Sequence, residues 1–267
     1  MKAVISAVSH VQAAAIDIPG KLCRHLRRAD DFIRLGVVSV YESFDREFDH
    51  EFDRETDIVE ESPERCGIIV GTAFGPMQTN FDVLDQIVNE EQTSPTLFSH
   101  SVFNAANSYL SCIFNLWGSA LTLTDFAYPF FQALQQGWLA ITSGLLDRCF
   151  VLQIETYSKL LDDTCKRSDH PFASSWPAGS VSWLLERDDS NANGCVIDLL
   201  NVEVKPVSGR AYIRCEEFLA HNGHDMVIND PLGSAATLTQ IIKQASNGSL
   251  HDCQITAPYG IVKLVLS

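Results

Sequence analysis

Apolar and polar positions along the chain fall into two kinds of pattern. Short runs that are apolar at nearly every position alternate with longer stretches whose apolar residues recur three and four apart. Cys66-Gly67-Ile68-Ile69-Val70-Gly71 is of the first kind and reads as a strand buried on both faces. The chain then turns at Gly71-Thr72-Ala73-Phe74-Gly75 into a helix. Val102, Ala105, Ala106, Tyr109, Leu110, Ile113, Phe114 and Trp117 are of the second kind and predict an amphipathic helix over 102–117, stopped by Gly118. Ala120 to Thr124 alternates with threonine, as a strand does. Residues 129–144 are apolar on nearly every side, the pattern of a buried helix, and Cys149 to Ile154 is another strand. Upstream, the Asp30-Asp31-Phe32-Ile33 stretch opens a helix of about four turns that ends near Ser43.

The second part of the chain is less regular. Residues 162–179 are polar and carry Pro171 and Pro177, and residues 188–194 form a loop of Asp, Ser and Asn. Strands are predicted near 181–185, 195–204 and 261–266, and helices near 215–221 and 235–245. Strands alternating with helices predict an α/β layered fold. No internal repeat is visible, and residues 1–267 read as a single domain with an N-terminal half, 1–160, and a shortened C-terminal half, 161–267.

Charge and cysteine usage narrow the function. With 34 acidic against 19 basic residues the net charge is -15, which repels nucleic acid and anionic membrane surfaces alike. The eight cysteines are scattered, with no C-x-x-C pair, and several sit in apolar runs, so buried free thiols in a reducing cytoplasm are expected. The first sixteen residues lack the pattern of a secretory signal, and no run approaches the roughly 18 apolar residues of a membrane span. Phe44, Phe48 and Phe52 share a spacing among acidic residues. A metal site from Asp45, Asp49, His50 and Asp53 matches no known ligand spacing, and a solvated acidic segment is the better reading; neither metal nor cofactor is expected.

Several linked segments resemble the β-ketoacyl synthase family, in the family's order. Residues 26–35, from Leu26-Arg27-Arg28 to Arg34-Leu35, resemble its "RRMDRFSRLA" helix. Residues 67–75 resemble "GVIVGTGFG". Ser94-Pro95-Thr96-Leu97-Phe98 with Val102-Phe103-Asn104-Ala105-Ala106 matches "SPxxFxxxVxNAAA", and Gly118-Ser119-Ala120-Leu121-Thr122 matches "GPALT". The likeness weakens after residue 155, where Ala178 to Glu186 is similar to "GEGAGVLVLE". The resemblance implies a thiolase-like fold of αβαβα layers with a reduced C-terminal half. It also implies dimerisation through the strand over 120–124 and a substrate carried by an acyl carrier protein.

The family's nucleophile elbow reads T-A-C-S-S-G, and counting from Gly118 sets Ala127 on its cysteine. A thiolate at a helix N-terminus attacks an acyl thioester; a methyl group forms no covalent intermediate. Tyr128 and Phe130 replace small residues there, so Phe126, Tyr128 and Phe130 are expected to plug the acyl pocket, with Pro129 opening the helix. The family's "HGT" histidine has no counterpart. Asp230-Pro231-Leu232-Gly233-Ser234-Ala235-Ala236 resembles its "GHxxxAAG" segment without the histidine, and His221 and His224 read as polar loop residues without a catalytic part. The resemblance therefore implies a chain-length-factor-like subunit, not an enzyme on its own, in type II polyketide, aryl polyene or fatty-acid-like biosynthesis. Its partner would be an active ketosynthase, in a heterodimer or larger assembly, with the carrier protein engaged indirectly. In the family the helix after the turn at residues 71–75 faces the substrate tunnel, and Phe74, Met77 and Phe81, at i, i+3, i+7 on one face, would line it, or else be core residues. Asn104, Ser108 and Tyr109 would lie at the subunit interface, Asn104 and Ser108 alternatively serving as helix-cap groups. A stand-alone decarboxylase or carrier-processing enzyme and a homodimeric scaffold are the competing classes.

Overall fold

In the N-terminal half the short apolar runs 66–71 and 149–154 become strands, and the longer stretches within 102–117 and 129–144 become helices laid against them. The structure is a computed structural model and describes residues 1–44, 62–89, 92–167, 176–188, 194–207, 216–244 and 251–267. In chain order the elements begin β1 (Ala3–Gln12), α1 (Cys23–Leu26), α2 (Asp31–Phe44), β2 (Cys66–Thr72), α3 (Met77–Val88), α4 (Pro95–His100), α5 (Ala105–Phe114) and β3 (Ala120–Thr124). There follow α6 (Pro129–Thr142), β4 (Arg148–Glu155), α7 (Lys159–Arg167), β5 (Gly179–Arg187), β6 (Cys195–Val204), β7 (Glu217–His221), β8 (His224–Ile228), α8 (Gly233–Gln244), β9 (His251–Ala257) and β10 (Gly260–Leu266).

The strands join in the order β3-β2-β4-β5-β1-β6-β10-β9-β7-β8. β3, β2 and β4 are parallel, β5 runs against both β4 and β1, and every later pairing is antiparallel. The two halves meet at β1 and β6 through only Val4 opposite Val196 and Ile5 opposite Cys195. So short a ladder lets the sheet fold over on itself. On the outer face of the first half, α2 and α5 pack against Ile68, Val70, Phe150, Leu152 and Ile154. On its inner face, Ile69, Cys149, Val151, Val181, Trp183 and Leu185 meet α6 and α8, which are covered in turn by Ile197, Leu219, Ile255, Val262 and Leu264 of the second half. The layers run helix, sheet, helix, sheet. This is the expected α/β architecture, and its reduction lies in the last layer: among the described residues no helix covers the outside of β6-β10-β9-β7-β8.

Several boundaries differ from expectation. Of the helix expected over 215–221, the residues Glu217–His221 form the strand β7 instead, because Glu217 and Leu219 point inward while Phe218 is exposed, a period of two that suits its pairing with β8 and β9. The Asn222-Gly223 turn, with both residues at positive φ, makes β7-β8 a hairpin and places His221 and His224 in strands, not in a loop. The helix over 102–117 is confined to Ala105–Phe114; Asn115 ends it in the left-handed conformation, leaving Val102, Phe103 and Trp117 exposed outside it. β1, β8, β9 and α7 were not foreseen. The acidic Asp45, Asp49, His50 and Asp53 set lies outside the described residues, among which no cluster of three metal-ligating side chains occurs. Cys66, Cys149 and Cys253 are buried and free, whereas Cys23 and Cys112 are free but exposed. No described helix is long and apolar enough to cross a membrane.

Candidate functional site

The site is built where β3 gives way to α6. Gly71 on the adjacent β2 makes that approach possible, since a Cβ there would stand 2.1 Å from the Pro129 carbonyl oxygen. Asp125 organises the turn: its Oδ1 accepts the Ala127 N–H at 2.9 Å and its Oδ2 accepts Gln132 Nε2 at 3.0 Å. Ala127 is fully buried. Tyr128 takes the left-handed conformation with φ 54° and ψ 49°, a strained choice for a side chain of that size, and Pro129 begins the helix. The positive end of the fourteen-residue α6 thus lies beside the Asp125 carboxylate and Ala127, whose side chain is a methyl group.

The three expected plug residues separate. Phe130 turns into the first half of the sheet, with its ring 4.9 Å from Trp183. Tyr128 turns towards the second half: its hydroxyl donates to the Gly260 carbonyl at 2.8 Å, and its ring stands edge-on to Tyr259 at 4.9 Å. Burial, with Glu217 nearby, pushes the Tyr128 phenol above its ordinary pKa and keeps it a donor. Phe126 is half-exposed and meets Phe74 at 5.4 Å. Phe74 in turn meets Tyr157 at 5.4 Å and Trp176 at 5.6 Å, an aromatic cluster over the outside of the turn.

Phe74 does not share a helical face with Met77 and Phe81, because α3 begins only at Met77 and Phe74 belongs to the turn before it. Met77 and Phe81 are half-buried, one turn apart; the buried face of α3 is Thr79 and Val83, and Leu84, Ile87 and Val88 are exposed. Asn104 sits at the N-cap of α5 without a side-chain capping bond, and Ser108 is exposed, its hydroxyl donating to the Asn104 carbonyl at 3.5 Å. Tyr109 pairs its hydroxyl with His100 Nε2 at 3.0 Å. On the neighbouring turn of α5, Asn107 is buried and donates to Thr122 of β3 at 2.9 Å.

Two buried carboxylates flank the elbow and were not singled out from the sequence. Glu155, the last residue of β4, accepts the Ala73 and Phe74 N–H groups at 2.7 and 3.1 Å. Glu217 of β7 accepts the Ser234 hydroxyl and, at 2.8 Å, the Tyr259 hydroxyl. Desolvation raises both to a pKa of about 7 against the pull of those donors. A signal existed for Glu155, an acidic residue closing a run that is otherwise apolar on both faces. Glu217 was hidden by reading its strand as a helix. Burial raises the Cys66 thiol to about 11 and the Cys253 thiol to about 12, away from the thiolate.

Residues 56–175 match a family model described as the N-terminal domain of β-ketoacyl synthases. A search of curated proteins returned no match. Among solved structures, the ketosynthase ApeO in complex with its chain length factor ApeC from Xenorhabdus doucetiae contains a chain that matches with a TM-score of 0.61 at 15% identity, over 100% of this chain and 99% of that one. The ishigamide ketosynthase/chain length factor matches at 0.62 and 16% identity, over 76% of this chain and 68% of that one. A type II polyketide acyl carrier protein complex with its ketosynthase bound to the hexaketide, AntDE:AntF, matches at 0.62 and 17%, over 77% and 69%. At these identities the likeness is one of fold: the chain has the thiolase-like fold of ketosynthases.

Proposed function

We propose that this chain is a chain-length-factor-like subunit, a reading supported by the match of residues 56–175 to the N-terminal domain of β-ketoacyl synthases: silent in acyl transfer itself, it pairs with an active ketosynthase and shapes the path of the carrier-bound acyl chain. The observation that carries this reading is Ala127. It occupies the mouth of α6, where covalent acyl transfer needs a thiolate, and it has only a methyl group to offer.

The surface around β3 supports the pairing. β3 is the terminal strand of the sheet, and Leu121 on it and Val102, Phe103, Trp117 and Phe126 in the segments before and after it are 40–69% exposed. Open sheet edges and exposed apolar side chains of this kind invite another chain. A partner's equivalent strand laid on β3 would continue the sheet, bring Asn104, Ser108 and Tyr109 to the interface, and close Phe74, Met77 and Phe81 into a wall for the acyl chain. That the ApeO–ApeC match spans both chains almost completely supports a subunit of this reduced size in such a complex. The exposed cations Lys21, Arg24, Arg27 and Arg28 suit an acidic carrier protein, and the free thiols suit a cytoplasmic setting.

The test is purification of the tagged chain from its native cells. A ketosynthase whose sequence retains the elbow cysteine is expected in stoichiometric amount, with acyl adducts on that partner alone after incubation with an acyl-thioester donor. A stable lone monomer, or an acyl thioester on any residue of this chain, overturns the proposal.

A further inference from the structure

Glu155 has an arrangement of donors that the reading above does not use. Its Oε1 accepts the Ala73 N–H at 2.7 Å and Gln153 Nε2 at 2.9 Å; its Oε2 accepts the Phe74 N–H at 3.1 Å and lies 3.2 Å from Thr72 Oγ1. Two consecutive backbone amides therefore converge on the two oxygens of one buried carboxylate. Backbone N–H groups cannot reverse their polarity, so only a group with two acceptor oxygens satisfies both. Glutamine would turn an NH2 towards one of them. The other side of the same turn is held as well: Thr72 Oγ1 accepts the Gly75 N–H at 2.8 Å, and Thr156 Oγ1 donates to the Gly75 carbonyl at 2.6 Å. What this clamp presents is the ring of Phe74, set against Phe126, Tyr157 and Trp176 at 5.4 to 5.6 Å.

We propose that Glu155 is a positioning residue for chain length: by clamping the Ala73 and Phe74 amides it fixes where the Phe74 ring stands in the wall met by the end of the carrier-bound acyl chain. This rests on the tunnel reading above, and its test separates the two. Glu155→Gln, Phe74→Ala and Phe81→Ala are each placed in the native gene, and the lengths of carrier-bound acyl products are read by mass spectrometry alongside the amount of soluble chain. Amide exchange is measured on each purified protein. In Glu155→Gln the Ala73 and Phe74 amides are expected to exchange about tenfold faster or more. Product lengths are expected to shift in the same direction as in Phe74→Ala. A purely structural role would lower total product without moving its length distribution.

Faster exchange with wild-type lengths, while Phe74→Ala or Phe81→Ala shifts them, overturns the role of Glu155 and leaves the tunnel standing. Wild-type lengths in all three variants sink both. Unchanged exchange in Glu155→Gln refutes the clamp itself. Should that variant fail to accumulate, Glu155→Asp, which keeps two oxygens but stands one methylene short, is read by the same outcomes.

Discussion

The two halves of the sheet solve the same burial problem differently. In β3-β2-β4-β5-β1 the central strands are covered by helices on both faces, and β2 is buried at all seven positions. In β6-β10-β9-β7-β8 one face packs on α6 and α8 while the other meets solvent, so β9 and β10 alternate buried and exposed residues. A parallel strand needs a crossover and hence a helix to cover it, whereas an antiparallel hairpin needs only a turn. The shortened half gains its strands cheaply in chain length by giving up its outer helical layer. Between the halves lies the buried group of Glu217, Ser234 and Tyr259, with Tyr128 reaching across to Gly260.

The strongest way to break this contrast is at Trp183, where both halves meet. Its ring packs on Phe130 of α6 and its Nε1 donates to Thr239 Oγ1 of α8 at 2.8 Å. Trp183→Ala is expected to cost about 3–5 kcal/mol, read from urea denaturation by far-UV circular dichroism, with one transition retained. Two separated transitions would mean that the halves fold as independent units joined only through β1 and β6.

The same asymmetry decided what the sequence could reveal. Fully buried strands such as Cys149–Ile154, and the helix opened by Pro129, announce themselves by unbroken apolar runs, and β3 was bounded correctly by its alternating threonines. The second half carries its information in a period of two that is interrupted by inward-pointing polar residues. Glu217 at an inward position and Phe218 at an outward one invert the usual pattern, so the β7 stretch passed for a helix. Ala127 was placed by counting from Gly118, a local feature. The partners of Glu155 lie about eighty residues away along the chain, and no local pattern points to contacts that only the fold creates.

The two carboxylates give a middle-sized test of the comparison. Both have folded-state values near 7, raised by burial above the ordinary carboxylate range. A group raised in this way contributes stability that is present below its unfolded value and lost as pH climbs through its folded one. Between about pH 5 and 8 each therefore removes on the order of 2–3 kcal/mol as pH rises. His10 and His221, lowered chiefly by burial, act in the opposite sense as pH falls through the ordinary histidine range. The partners of Glu217 are hydroxyls, which can turn from donor to acceptor; those of Glu155 include backbone amides, which cannot. Glu217→Gln should consequently remain folded and flatten the stability profile above pH 6. Glu155→Gln should lose stability at every pH. Parallel denaturation series at half-unit pH steps distinguish them, and like behaviour of the two variants would contradict the geometry.

The smallest expected effect lies on the bare face of the second half. There the register lines up Glu203, Ile261, Thr256, Phe218 and Val227 across five strands, with Phe218 52% and Val227 62% exposed. Their inward neighbours Leu219 and Ile255 are fully buried. Phe218→Ser should change stability by no more than about 0.5 kcal/mol, because an exposed ring has little burial to lose, whereas Leu219→Ala, one residue along the same strand, should cost about 2–5 kcal/mol. Measured by thermal melting at several protein concentrations, a large loss for Phe218→Ser that grows as the protein is concentrated would show that another copy covers this face. The outer layer missing from the fold would then be supplied by assembly.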